Sequence, residues 1–129
     1  FRGPTPRTRV MFGRPGHAYV YLSHGVWYCM NVVAHPPGDV GAVLLRGAVP
    51  LYGFAAGVRL GGPGLLGRAF GLTTTDSGSD LTRSALQLRD APTVAPHQIA
   101  RGPRIGIADS ATSAKLWRYW VRGSGGVAR

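Results

Sequence analysis

The feature that most restricts this chain is a pair of β-rich runs set almost end to end. Ala18-Tyr-Val-Tyr-Leu22 and Val26-Trp-Tyr-Cys-Met-Asn-Val-Val33 are separated only by Ser23-His24-Gly25. β-Branched and aromatic side chains suit a pleated, half-buried surface. A connection this short, with a glycine in it, turns the two runs back on each other as an antiparallel hairpin. Side chains alternate along a strand, so Tyr19 and Tyr21 are expected on one face and Val20 and Leu22 on the other. On the second run Asn31 is a polar side chain among apolar neighbours, and burial there demands a hydrogen-bond partner or a pocket. The pattern leaves both open: a satisfied structural amide, or a site residue.

The rest of the chain is read around that hairpin. Phe1 to Arg9, with Pro4 and Pro6, reads as an extended basic arm, and Val10-Met11-Phe12 as a short strand before the Pro15-Gly16 turn. After the Pro36-Pro37-Gly38-Asp39 turn, Ala42 to Leu45 reads as a central strand buried on both faces and closed by Arg46. Residues 61 to 71 fit a short helix with Pro63 in its first turn and Gly71 as its stop. Thr73 to Asp80 is a polar loop, Leu81 to Leu88 a candidate helical turn, and Ser110 to Lys115 a polar turn or helical start. Gln98 to Ala100, Arg104 to Ile107 and Leu116 to Val121 are candidate strands. Strand runs dominate. The expected fold is therefore α+β: residues 1–129 as a single domain with a curved, mainly antiparallel sheet, a protruding hairpin and short flanking helices.

Composition narrows the function. Fourteen arginines and one lysine stand against five aspartates, a net charge of +10, and the acids include no glutamate. Such an excess favours a polyanionic partner, because neutralised phosphates release counterions. A GC-rich coding bias toward arginine would give the same charge, so charge alone does not decide. Cys29 is the only cysteine, which removes internal disulfides and thiolate metal sites. His17, His24, His35 and His97 show no paired spacing that would set two imidazoles on one face, so no metal and no other cofactor is expected. Gly47 to Val58, interrupted by Pro50, falls well short of the roughly 20 apolar residues of a membrane span. No secretory signal pattern opens the chain. These readings give an intracellular protein of cytoplasm or nucleoid, monomeric, without a membrane partner.

Five ordered blocks carry a more specific reading. They are Arg7 to Gly16 leading into Tyr19-Val-Tyr-Leu-Ser-His-Gly-Val-Trp-Tyr-Cys-Met-Asn31, then Val43-Leu-Leu-Arg46, then Gly62-Pro-Gly-Leu-Leu66, then Arg101-Gly-Pro-Arg-Ile-Gly-Ile107, and finally Trp120-Val-Arg-Gly-Ser124. In this order, across nearly the whole chain, they resemble the 3-methyladenine (alkyladenine) DNA glycosylase family. The resemblance implies a monofunctional DNA-repair enzyme of base excision. Such an enzyme scans duplex DNA, flips out an alkylated purine and hydrolyses its N-glycosidic bond with an activated water.

The resemblance also implies roles. His24, at the hairpin tip, takes the place of the intercalating residue, which is tyrosine in the best-known members. A planar side chain entering the gap offsets part of the cost of unstacking. Without the resemblance His24 would be an ordinary exposed turn histidine. Tyr21 matches the aromatic that stacks on the everted base, Tyr19 a neighbouring pocket tyrosine, and Asn31 the residue that crowds the exocyclic amino group of guanine. Without the resemblance Tyr21 would be read as core. Arg46 matches the arginine that holds the attacking water together with a backbone carbonyl, here that of Ile105; its plain reading is a phosphate or surface arginine. Arg7 and Arg9 are expected on the DNA backbone.

The sequence departs from the family at its general base. Departure of a base from its sugar builds positive charge at the anomeric carbon, and a carboxylate beside the water serves that step. The family's base is a glutamate in a stretch shortly before the segment matched by Phe1, and this chain has no glutamate. The expectation is a chain that starts inside its domain, the catalytic N-terminal segment being outside these residues. The stretch from Tyr52 to Leu60 also reads as shorter than the family's charged connection. Two rivals remain: a non-catalytic basic nucleic-acid-binding protein that keeps the hairpin but lacks the base, and an RNA-associated protein of ribosomal type suggested by charge and glycine alone.

Overall fold

A computed structural model describes residues 5–6, 8–106 and 113–124. The expected hairpin forms as β1 (Ala18–Ser23) and β2 (Trp27–Val33), paired antiparallel with Tyr19 opposite Asn31 and Tyr21 opposite Cys29. Its turn is built by backbone chirality. His24 has φ 52° and Gly25 φ 68°, and the Val26 amide donates to the Ser23 carbonyl at 3.0 Å. Both residues thus stand in the left-handed region, which glycine adopts readily and most other residues do not; with Ser23 opposite Trp27, residues 24–26 make the connection.

β3 (Ala42–Leu44) adds to the far side of β2, giving the antiparallel order β1-β2-β3. The expectation of a central strand buried on both faces is corrected here: β3 is an edge strand, and Val43 is 56% exposed. The free edge of β1 is covered instead of left open. Ala18 exchanges backbone hydrogen bonds with Gly78 and Ser79, and Ser77 Oγ accepts from the Val20 amide at 3.1 Å, which guards against edge-to-edge pairing.

One face of this sheet makes the core. Ala18, Val20 and Met30 pack against Leu72 and Leu81, with Tyr28, Val32, Leu45 and Leu86 around them. Leu72 and Leu81 are brought there by α1 (Pro63–Ala69) and the loop after it, a 3-10 turn at Thr74–Asp76 closed by reciprocal Thr73 and Asp76 hydrogen bonds. α1 starts with Pro63 at its first turn and ends before Gly71, as the sequence implies. It lies so close to β2 that a Cβ on Gly67 would overlap the Tyr28 carbonyl oxygen, and one on Gly64 would stand 2.6 Å from the Trp27 ring.

A second antiparallel pair, β4 (Ile99–Gly102) and β5 (Arg118–Val121), sets Arg101 opposite Tyr119 and Ala100 opposite Trp120. Overall this is an α+β fold, with one α-helix among the described residues. Several local expectations are corrected. Arg9–Phe12 is a 3-10 turn rather than part of an extended arm and strand. Thr5 and Thr8 coil it by bonding each other's backbone amides, and the Arg9 amide donates to the Thr5 carbonyl. Arg104 to Gly106 is a turn, with Gly106 at φ 75°, and the strand lies earlier, at Ile99–Gly102. Leu81 to Leu88 forms turns and bends without a helix, Leu81 itself being 1% exposed. Arg7, Ile107 and the start of the 110–115 segment lie outside the described residues.

Candidate functional site

The second face of the β1-β2-β3 sheet differs in chemistry from the core face. Alternation places Tyr19, Tyr21, Cys29, Asn31 and Leu44 on it together, since Tyr19 pairs with Asn31, Tyr21 with Cys29 and Asn31 with Leu44. The Leu45 amide donates to the Met30 carbonyl at 3.0 Å, so the β2–β3 register continues past the strand end. Two residues beyond Leu44 it sets Arg46 opposite Cys29. The Cys29 thiol is consistent with that position: burial pushes it up, while hydrogen bonds with Ser23 and Tyr21 and the Arg46 charge pull it down.

Within this face the polar groups have defined partners. Asn31 is 8% exposed, and its Nδ2 donates to the Tyr19 carbonyl at 3.2 Å. Leaving a buried amide without such a bond costs about 1–3 kcal/mol, so this contact fixes how the amide group points. Tyr19 is buried, Tyr21 half-buried, and their rings lie 5.5 Å apart at a tilt of 31°. The tyrosine nearer the tip is therefore the more accessible of the two. His24 is exposed at the tip itself.

Beside Arg46 opens a cleft of about 460 Å³ between the segment 43–49 and β5. Leu44, Arg46, Trp117, Arg118, Tyr119 and Trp120 contribute to its walls. Neither Tyr19, Tyr21 nor Asn31 lines it, so the cleft and the tyrosine face meet only at Leu44 and Arg46. Ile105 is 49% exposed in the turn after β4, and Arg9 is exposed on the 3-10 turn. The structure thus gathers Tyr19, Tyr21, Asn31 and Arg46 onto one face with His24 at its end. It does not bring Arg9 or Ile105 onto that face.

The described carboxylates are all engaged locally. Asp39 accepts from the Val40 amide at 2.7 Å, Asp76 from the Thr73 amide at 2.8 Å, and Asp90 from the Ala91 amide at 3.1 Å. Asp80 accepts from the Thr82 amide and hydroxyl and pairs with Arg83 at 3.2 Å; those bonds hold its carboxyl down at about 2. Among the described residues, no three His, Cys or Asp side chains gather as a metal set, and no helix is long and apolar enough to cross a membrane.

Residues 1–125 match the family model described as methylpurine-DNA glycosylase (MPG). The chain belongs to this family. Curated relatives named "Putative 3-methyladenine DNA glycosylase" include one from Myxococcus xanthus, 43% identical over 129 residues, covering 99% of this chain and 66% of the relative. One from Anaeromyxobacter dehalogenans strain 2CP-C is 45% identical over 130 residues, covering 98% and 61%. One from Cutibacterium acnes is 42% identical over 139 residues, covering 94% and 71%. The chain therefore spans about two thirds or less of the length of the first two. The Myxococcus match runs 129 positions for 99% of the chain, which leaves little room for gaps, whereas the Cutibacterium match needs 139 positions for 94%. Inserted positions thus separate this chain from the Cutibacterium relative more than from the Myxococcus one.

Sequence reasoning missed two features of this region. As the lone cysteine Cys29 draws no role from composition, although period-2 alternation from Asn31 assigns it to the tyrosine face. The basic and aromatic residues of β4 and β5 were read only as strand, although Lys115-Leu-Trp-Arg-Tyr-Trp120 mixes cations and rings at nearly every position.

Proposed function

We propose that this chain, residues 1–129 as one glycosylase domain, belongs to a monofunctional DNA-repair enzyme. It would evert alkylated purines of the 3-methyladenine type from duplex DNA and hydrolyse the N-glycosidic bond. The observation that carries the reading is the shared face of Tyr19, Tyr21, Asn31 and Arg46 beside the exposed tip at His24.

Each group has a physical task. The tight turn after β1 presents His24 outward, where its ring can fill the gap left by the base and offset part of the few kcal/mol of unstacking. Tyr21, the more accessible tyrosine, stacks on the everted purine, and Tyr19 supports its ring. Asn31 is held by its bond to the Tyr19 carbonyl, so its remaining edge is a fixed obstacle to the amino group of guanine. Arg46, at the junction of this face with the cleft, orients the attacking water; the Ile105 carbonyl is its second anchor by resemblance alone, since Ile105 is not on this face and does not line the cleft. Arg7 and Arg9 contact phosphates. The resemblance assigns the general base to a glutamate, a residue type this sequence does not contain, so the base is not among the residues described.

The test is single-turnover release of base from a duplex carrying one ethenoadenine or hypoxanthine, using the full-length protein. Release at a rate that saturates with enzyme is expected. Tight binding without release would end the enzyme reading and favour its rival, a non-catalytic nucleic-acid-binding protein, which the engaged carboxylates by themselves support.

A further inference from the structure

The β4–β5 ribbon carries a set of contacts that the tyrosine face does not use. Its register places Ile99, Arg101, Tyr119 and Val121 on one face, and all four are exposed. Arg101 stands 5.6 Å from the Tyr119 ring centre and Arg118 4.4 Å from that of Trp120. Trp117 is approached by two cations, Arg104 at 5.2 Å and Lys115 at 5.3 Å. Tyr119 is 57% and Trp117 49% exposed.

Rings this exposed at a soluble surface mark a contact, and the charge says with what. Residues 96–106 and 113–124 contain Arg101, Arg104, Lys115, Arg118 and Arg122 and no carboxylate. A ring face attracts a cation and holds it in place, but it does not cancel its charge. A row of cations seated on aromatic faces suits a partner that alternates anionic and planar groups, and a nucleic-acid strand does so at every nucleotide. The cleft beside Arg46 is walled by Trp117, Arg118, Tyr119 and Trp120, so the ribbon is continuous with the proposed reaction site.

We propose that the β4–β5 ribbon is a second DNA contact, separate from the hairpin tip. In it Arg101 and Lys115 bind backbone phosphates while Tyr119 and Trp117 lie against the sugars and bases of the same strand. This rests on DNA being the partner, as argued above, and adds where one strand runs: along the ribbon and toward the cleft.

The experiment is fluorescence anisotropy of the full chain on an undamaged labelled duplex between about 50 and 200 mM salt. The double variant R101Q/K115Q removes two exposed charges and nothing buried. Each lost phosphate contact lowers the slope of log affinity on log salt by about 1, so the variant is expected to be shallower by about 2 and roughly tenfold weaker at the lower salt. Tyr119→Leu should weaken binding several-fold with the slope unchanged. An unaltered slope and affinity in R101Q/K115Q overturns the proposal. So does a dimer of the chain that the double variant dissociates while DNA binding stays the same, which would give this face to a second copy. Undamaged duplex requires no excision, so the two readings fail separately. A changed slope in a protein that releases no base leaves the contact standing and removes the glycosylase, and an unchanged slope in an active enzyme does the reverse.

Discussion

The β1–β2 hairpin and the β4–β5 ribbon are both antiparallel pairs, yet they are held in place by different means. The hairpin is supported on three sides: β3 along one edge, residues Ser77 to Ser79 along the other, and Leu72 and Leu81 beneath. The ribbon is two-stranded, and its outer face is exposed. To its backbone ladder it adds cations laid on exposed rings and Arg118 Nε donating to the Pro103 carbonyl at 2.9 Å. A lone two-stranded pair is marginal in water, so the comparison separates a scaffold that fixes side-chain positions from a surface that can adapt to what it touches.

A pair of glycines tests this contrast most severely. Gly67 meets backbone, the Tyr28 carbonyl, so Gly67→Ala should push α1 off β2 and cost about 3 kcal/mol or more, at the upper end for overpacking. A Cβ on Gly102 would meet side-chain atoms, Arg118 Nη2 at 3.0 Å and Trp120 Cη2 at 3.3 Å. These can give way, so Gly102→Ala should cost about 1 kcal/mol or less. Urea unfolding of both variants checks it, and equal losses would erase the distinction. Next in size is a truncation pair. Leu81→Ala, at 1% exposure, should cost about 2–5 kcal/mol, and Tyr119→Ala, at 57%, within about 0.5 kcal/mol. A larger loss at Tyr119 would make the ribbon part of the core.

That division also explains what could be read from the sequence. The hairpin, its turn and its two faces were legible because period-2 alternation and a glycine-containing connection act locally. So was α1, through Pro63 and Gly71. Which of the two faces is the core was not legible: unaided, Tyr21 reads as core, whereas Val20 and Met30 on the opposite face pack against Leu72 and Leu81. What failed was set by tertiary contact. Val10-Met11-Phe12 has strand composition, but reciprocal hydrogen bonds between Thr5 and Thr8 wind the chain into a 3-10 turn. Ala42 to Leu45 is apolar enough for a central strand, but among the described residues no strand pairs beyond it, so there it is an edge. The roles of Tyr21 and Arg46 came from family resemblance. The residues alone show a tyrosine in a strand and an arginine after one.

Tyr21→Ala compares the two contacts in function instead of stability. Stacking of an aromatic on a base is worth about 1–3 kcal/mol by truncation, so excision in single turnover should fall roughly 5- to 150-fold. Binding to undamaged duplex should stay nearly unchanged, because the ring meets only an everted base. The ribbon variants predict the opposite pattern, weaker binding to every duplex. Parallel losses of binding and excision in Tyr21→Ala would merge the two surfaces into one.

The smallest expected effect concerns how the base of the hairpin is tied to the chain before it. His35 follows β2, and its ring nitrogens face two carbonyl oxygens, Nδ1 toward Pro36 and Nε2 toward Gly13, each at 2.8 Å. A neutral imidazole donates from one nitrogen only, so only the imidazolium satisfies both acceptors. The bonds to Pro36 and then Gly13, with the charge of Asp39, raise the His35 pKa above its ordinary 6.5 against a small opposing effect of burial. A raised folded-state value means the stabilisation is complete below 6.5 and is lost as pH climbs through the higher value. Stability measured by urea midpoint should therefore decline as pH rises above 6.5, and His35→Gln should remove that part of the decline. The Gly13 contact reaches the loop after the Arg9–Phe12 turn, so amide exchange in residues 9–13 should quicken over the same pH range, beyond its intrinsic rise, while β4 and β5 show no such change. An identical pH profile in His35→Gln would mean that the imidazolium does not hold the turn to the sheet.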